Sequence, residues 1–246
     1  MTVRLGNNGA NRRPPQKLKK RSVPDILAKT KLIKQLVLVV VIGGILRFGL
    51  NNLGWHPPSL EKRLIPALVL WMIFGLYWGI AGLSSAPTRS SESWVSTYFH
   101  QFVLCAALLL LIVPVPGLNG WFLPAQLPLL VAVGAIIQAG FLLLAVWARR
   151  HLGRNWSAEV RIAVDHELVR TGPYRLLRHP IYTAMLGMFL GTAVASSQFH
   201  ALLGLAILVV AYLRKTRLED QMLAQAFGAD YNAYRRHTWA LVPLLF

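Results

Sequence analysis

The 246-residue chain is 55% hydrophobic and only 14% charged, with a mean hydropathy of +0.48, whereas a soluble domain carries roughly a quarter charged residues. That balance excludes an ordinary soluble globular protein and points to an integral membrane protein. The net charge of +17 gathers in the first 34 residues, in the Arg149–Arg154 run and beyond Arg214, a layout that follows the positive-inside rule and not a nucleic-acid footprint.

Residues 1–30, with Asn-Asn-Gly, Pro-Pro and Lys-Leu-Lys-Lys-Arg, read as a disordered basic cytoplasmic tail. Such a tail can also touch anionic lipid headgroups, at about 1 kcal/mol per basic residue. It is not a signal peptide, since a long polar stretch precedes the first apolar run and no small-residue cleavage site follows it. A four-span membrane region, residues 31–148, comes next. Its first span covers 32–50, with Arg47 placed to snorkel. After Pro57-Pro58, a second span covers about 64–83 and carries Trp71, Tyr77 and Trp78. A serine-rich loop, 84–97, leads to a third span at about 98–113, and an uncharged Pro/Gly turn leads to a fourth at about 122–148 that ends in Arg149-Arg150. These lengths suit a hydrocarbon core about 30 Å thick. The single cysteine, Cys105, lies in an apolar run and reads as a small core residue; it excludes an internal disulfide and a cysteine-based metal site.

Residues 149–180 break the apolar pattern. Residues 181–213 are apolar again, too long for one crossing and enough for two short ones, so they predict a tight helical hairpin turning near Ser197. Beyond it, an amphipathic helix is expected from about 214 to 227. A break at Phe227-Gly228 and a shorter helix through Tyr231 and Tyr234 follow. The fold class is therefore all-α: a polytopic helical bundle with about six crossings, or five plus a re-entrant hairpin. In either arrangement, with both termini cytoplasmic, the polar sets at 149–180 and 214–236 share the cytoplasmic face.

Two polar sets carry the chemistry. Polar groups against membrane spans are costly, so a dense set of them is a site by default. In the first, Thr171-Gly172-Pro173-Tyr174 is a turn, and Arg178-His179-Pro180 leads into the hairpin with Pro180 suited to a first helical turn. Backbone N–H groups at such a start suit carboxylates or phosphates. Metal ligation by His166 and His179 lacks the His-Glu-x-x-His spacing, so no metal is expected. In the second set, Lys215 and Glu219 stand four apart and share a helix face. They read equally well as a surface pair and as a cation and carboxylate aimed into a pocket.

An ordered set of motifs spans the C-terminal hundred residues. Gly172-Pro173-Tyr174-Arg175, Arg178-His179-Pro180-Ile181-Tyr182 and Gly191-Thr192 are followed by Glu219-Asp220, Leu223, Phe227-Gly228, Tyr231, Tyr234 and Pro243. With Leu152–Ser157 and His166–Val169 upstream, this set resembles the isoprenylcysteine carboxyl methyltransferase family, and more widely the membrane methyltransferases that include phospholipid methyltransferases. The resemblance covers roughly residues 145–246 and makes 149–246 the expected catalytic region. It implies S-adenosylmethionine as cofactor, held by Glu159, His166, Glu167, Leu168, Val169, Tyr174, Arg178, His179, Pro180, Ile181, Tyr182 and Glu219. It also implies a catalytic pair, Lys215 and Glu219, and a lipid-bearing substrate entering sideways from the bilayer. Lys215 falls where eukaryotic members have an arginine near the substrate carboxylate, and lysine cannot form arginine's bidentate fork. The acceptor is therefore open: a prenylated cysteine carboxylate, or a phospholipid amine methylated on nitrogen. A membrane sterol reductase using NADPH and a non-enzymatic scaffold stand as readings from other classes.

Overall fold

A computed structural model describes residues 3–4, 58–82, 88–91, 94–112, 115, 117–118, 120–122, 128–153, 161–163 and 167–243. The expected span at 32–50 lies outside them. Six α-helices form the described framework: α1 (Pro58–Gly82), α2 (Trp94–Ile112), α3 (Pro128–Leu152), α4 (Pro180–Ser196), α5 (Phe199–Phe227) and α6 (Ala229–Arg236). The protein is thus a helical membrane protein, as its composition indicates. Among the described residues, Lys62–Ala81, Pro128–Leu152 and Phe199–Phe227 are long and apolar enough to cross a bilayer, while Tyr98–Leu111 and Pro180–Ser196 are shorter apolar helices.

The hairpin turns where the sequence places it. Ser197 takes a left-handed φ of 57° and ends α4, and α5 starts two residues later. The expected separate helix from 214 does not exist, because α5 runs unbroken from Phe199 to Phe227. No Gly or Pro interrupts residues 205–227, so the change from apolar to charged side chains alters what the helix faces and not its backbone. Two short antiparallel ladders add to the helices: β1 (Val3–Arg4) on β4 (Glu167–Leu168), and β2 (Thr88–Ser91) on β3 (Arg161–Ala163). The basic tail, expected to be disordered, therefore touches the C-terminal region at Val3–Arg4.

Helix α4 is the hub. At 17 residues it spans about 26 Å, and it is apolar all round, as a helix enclosed by others should be. On one side it packs with α1 and α3 around Phe74, Trp78, Leu142, Ala145, Ile181 and Met188. On the other it packs with α2 and α5 around Ala107, Leu111, Phe189, Ala193, Leu208 and Tyr212. Gly134 of α3 and Gly191 of α4 meet backbone to backbone: a Cβ on either would lie 2.5 Å from the other's carbonyl oxygen. Small residues at such crossings let membrane helices approach closely. Polar cross-ties support the packing, with Trp71 Nε1 donating to Thr192 Oγ1 at 3.0 Å and Gln138 Nε2 to the Ala67 carbonyl at 2.9 Å.

The two ends of the α4–α5 hairpin differ. At the turn end, Phe122 N–H donates to the Ser197 carbonyl at 3.0 Å and Phe199 N–H to the Gly120 carbonyl at 3.1 Å. At the other end the chain folds back over the start of α4. Arg178 and His179 N–H groups donate to the Trp239 and Ala240 carbonyls at 2.7 and 3.1 Å, and Trp239 N–H donates to the Leu176 carbonyl at 3.0 Å. Thr183 Oγ1 donates to the Leu241 carbonyl at 2.6 Å.

Candidate functional site

The polar residues converge at the open end of the hairpin. A 3-10 turn, Gly172–Arg175, brings the chain to α4. Gly172 has a φ of 60° and packs so closely on His151 that a Cβ would collide with the imidazole, which explains the glycine. Tyr174 is buried, and its carbonyl accepts a hydrogen bond from Tyr234 Oη at 2.7 Å. Burial, with Glu219 and Tyr234 adding to it, raises the Tyr174 phenol well above its ordinary value and keeps it neutral.

His179 immediately precedes Pro180, the first residue of α4, and its buried ring lies between two carboxylates of α5. Its Nε2 is 2.7 Å from Asp220 Oδ1 and its Nδ1 is 3.4 Å from Glu219 Oε2. Burial alone would lower its pKa, but hydrogen bonds to Asp220 and Glu219, reinforced by their charges, push it up to about 9. At neutral pH the ring is an imidazolium that donates from both nitrogens. Asp220 is held on three sides: it also accepts from Arg178 Nη2 at 3.3 Å and from Tyr231 Oη. Burial and the Asp220 carboxylate raise the Tyr231 phenol, so it remains a donor.

Glu219 is placed differently from its neighbour. Its side chain keeps 29% of its surface accessible against 9% for Asp220, but its Oε2 is itself buried and meets only His179 Nδ1. Tyr182 lies beside Glu219 and flat on His179, with ring centroids 5.5 Å apart and planes within 7°. Lys215 Nζ sits 5.4 Å from the Tyr182 ring centroid, a cation–π distance. The site thus consists of a fixed imidazolium, a clamped aspartate, an accessible glutamate, and an aromatic face with a cation beside it.

Of the residues expected from the sequence, Arg178, His179, Tyr182, Lys215 and Glu219 come together here. Pro180 and Ile181 are buried at the start of α4, and Ile181 packs against the α1–α3 side. Leu168 packs with Phe227, Tyr231 and Tyr234, and Val169 packs beside Tyr174 and Ile181 in the larger core cluster. Glu167 pairs through its backbone with Arg4. Glu159 and His166 lie outside the described residues. Sequence reasoning missed Asp220 and Tyr231 as members of the charged cluster. The only available signal was the recurrence of acidic and tyrosine residues in the second polar set, which does not say that they close on His179.

Residues 129–230 match the phospholipid methyltransferase family model. Protein-S-isoprenylcysteine O-methyltransferase A of Arabidopsis thaliana is 28% identical over 134 residues, 53% of this chain and 64% of that protein. The cobalt-zinc-cadmium resistance protein CzcN of Cupriavidus metallidurans is 38% identical over 97 residues, 38% of this chain and 44% of that protein. The nickel-cobalt-cadmium resistance protein NccN of Alcaligenes xylosoxydans xylosoxydans is 36% identical over 97 residues, 38% of this chain and 45% of that protein. The chain thus spans from 44% to 64% of the length of these relatives. Arg178, His179, Tyr182, Lys215, Glu219 and Asp220 all fall inside the stretch, residues 129–230, over which the chain is similar to the phospholipid methyltransferase family.

Proposed function

We propose that this protein is an integral membrane methyltransferase that uses S-adenosylmethionine to methylate a lipid-bearing acceptor, with its catalytic region in residues 149–246. The observation that carries the reading is the His179–Glu219–Tyr182–Lys215 cluster, lying within the family-matched stretch at the open end of the α4–α5 hairpin. The residues fit the cofactor's chemistry: the accessible Glu219 carboxylate and the Tyr182 face suit a sulfonium cation. Tyr174, Arg178 and Pro180 frame the same end, and backbone donors or basic groups there suit its carboxylate. When bound, that cofactor supplies an activated methyl group.

The chain's own residues then position and exclude water. His179 is locked by two carboxylates and serves to orient Glu219 and Tyr182. Lys215 offers a cation beside the transfer line. A carboxylate acceptor needs no general base, so alignment and desolvation supply most of the rate. An amine acceptor must lose a proton, for which Glu219 is the reachable base. The first acceptor class is favoured by Lys215, a cation suited to holding a carboxylate. Two relatives are named for metal resistance; among the described residues no group of three or more His, Cys, Asp or Glu side chains could hold a metal ion. We infer a cytoplasmic site, because the basic residues of 149–153 and 214–236 lie at this end.

Binding of S-adenosylhomocysteine to the full chain in detergent tests the reading. Micromolar binding, lost in Glu219→Ala and His179→Ala, is expected. NADPH binding without response to S-adenosylhomocysteine would overturn it in favour of a reductase. With labelled donor, release of methanol in base identifies an ester product, and base-stable label identifies N-methylation.

A further inference from the structure

Arg178 and His179 are each tied in two directions. Their backbone N–H groups donate to the carbonyls of Trp239 and Ala240 in the C-terminal strap, at 2.7 and 3.1 Å. Their side chains meet the two oxygens of one carboxylate: Arg178 Nη2 lies 3.3 Å from Asp220 Oδ2, and His179 Nε2 lies 2.7 Å from Asp220 Oδ1. The same two residues therefore hold the strap with their main chain and the charged cluster with their side chains.

Arg178 joins strap and cluster a second time. Its Nη1 donates to the Arg235 carbonyl at 3.3 Å and to the Thr238 carbonyl, where α6 ends and the strap begins. Carbonyls at a helix C-terminus lack partners within the helix and favour a cation. A planar guanidinium, with its N–H donors in a fixed fork, reaches a carboxylate and two carbonyls at once, a span that a lysine ammonium does not keep. The side chain is only 9% accessible, and its Nε is buried. The guanidinium is thus committed to the protein and not offered to a ligand carboxylate, although the family resemblance counts Arg178 among the cofactor's contacts.

We propose that Arg178 is a positioning residue that couples the seating of the C-terminal strap to the His179–Asp220 pair, so that the cofactor site is complete only with the strap in place. The coupling stands on the geometry, and its consequence for a cofactor rests on the methyltransferase reading.

Two variants of the full chain in detergent separate the strap from the charge. Thr183→Val deletes the hydroxyl that donates to the Leu241 carbonyl at 2.6 Å and changes no charge. Arg178→Lys keeps a cation beside Asp220 and loses the fork. Each should speed hydrogen exchange about tenfold in peptides covering 176–183 and 237–243, and leave the turn-end peptide 194–200 unchanged. Thr183→Val should also move the His179 titration, followed by the ring-nitrogen resonances, downward from about 9, because a loosened strap frees Arg178 and with it Asp220. A contact that only stiffens the fold would leave that titration in place. Arg178→Lys should weaken binding of S-adenosylhomocysteine and of methylthioadenosine by the same factor, about tenfold. The second ligand has the adenosine and the sulfur but no carboxylate.

Unchanged strap exchange in Arg178→Lys would overturn the proposal, as would an unmoved His179 titration in Thr183→Val. So would an affinity loss confined to S-adenosylhomocysteine, which would put Arg178 on the cofactor's carboxylate. A parent protein that binds neither ligand would sink the methyltransferase reading, and the exchange and titration measurements would still decide the coupling.

Discussion

Raising the pH through about 9 removes the proton that His179 holds between Asp220 and Glu219, and the fold should register the loss. The group's pKa is raised on folding from 6.5 to about 9, so the native state keeps a proton that the unfolded chain has already released. Its contribution is complete below pH 6.5, declines as pH rises, and is gone once pH passes about 9. A shift of that size corresponds to on the order of 3 kcal/mol, or roughly 6–12 °C in Tm for a chain of this length. The assay is thermal unfolding of the detergent-solubilised protein across that pH range, for the parent and for His179→Gln. The parent's Tm should fall across the window while the variant, lacking the titrating ring, stays flat over it. Equal slopes in the two proteins would refute the bridged imidazolium.

Other expectations follow from particular contacts. Glu219→Gln removes a charge from an accessible side chain, and a charge-assisted hydrogen bond is worth about 1.5–3 kcal/mol. S-adenosylhomocysteine affinity should therefore drop about 10- to 100-fold, and Tm should fall as well because Glu219 helps hold the His179 proton, as isothermal titration and thermal unfolding would show. Tyr231→Phe deletes one donor to the buried Asp220 and should lower Tm by a few degrees, corresponding to about 1–3 kcal/mol, while leaving cofactor affinity near the parent's. Gly191→Ala forces a Cβ into the Gly134 carbonyl and should cost about 1–3 kcal/mol by overpacking, read as lost thermostability. Lys215→Arg restores a fork suited to a carboxylate. It should lower KM for a carboxylate acceptor and leave an amine acceptor's KM unchanged, so an effect on the amine alone would count against the carboxylate assignment.

The sequence made the hairpin readable because its cues are local: an apolar run too long for one crossing, interrupted by Ser196-Ser197-Gln198. The facing of Lys215 and Glu219 was readable from helical spacing, and it holds because α5 does not break between them. The break expected at 214 is absent because a change in side-chain polarity does not by itself change the backbone. Asp220 was the harder case. It is one residue from Glu219, a spacing that turns the two side chains apart on a helix, and only the seating of His179 between them brings both carboxylates onto one ring. The strap formed by Trp239–Leu241 had no local signal at all, since its partners lie about sixty residues back and its bonds are made by backbone groups that every residue possesses.

The backbone contact of Gly134 with Gly191 lies toward the Ser197 end of α4, and so does the approach of Gly204 on α5 to the Ala107 carbonyl of α2. At the opposite end the helices are held apart by Tyr182, Tyr212 and His100. Backbone contact at one end and ring contacts at the other resemble a pair of tongs pinned at its handle. A ligand reaching His179 meets α4 twelve residues, about 18 Å, from its close backbone contact, so a small rotation at the glycines becomes a larger displacement at His179. Filling the pivot with methyl groups would act on the jaws, and substitutions that never touch a ligand could govern how readily one is admitted.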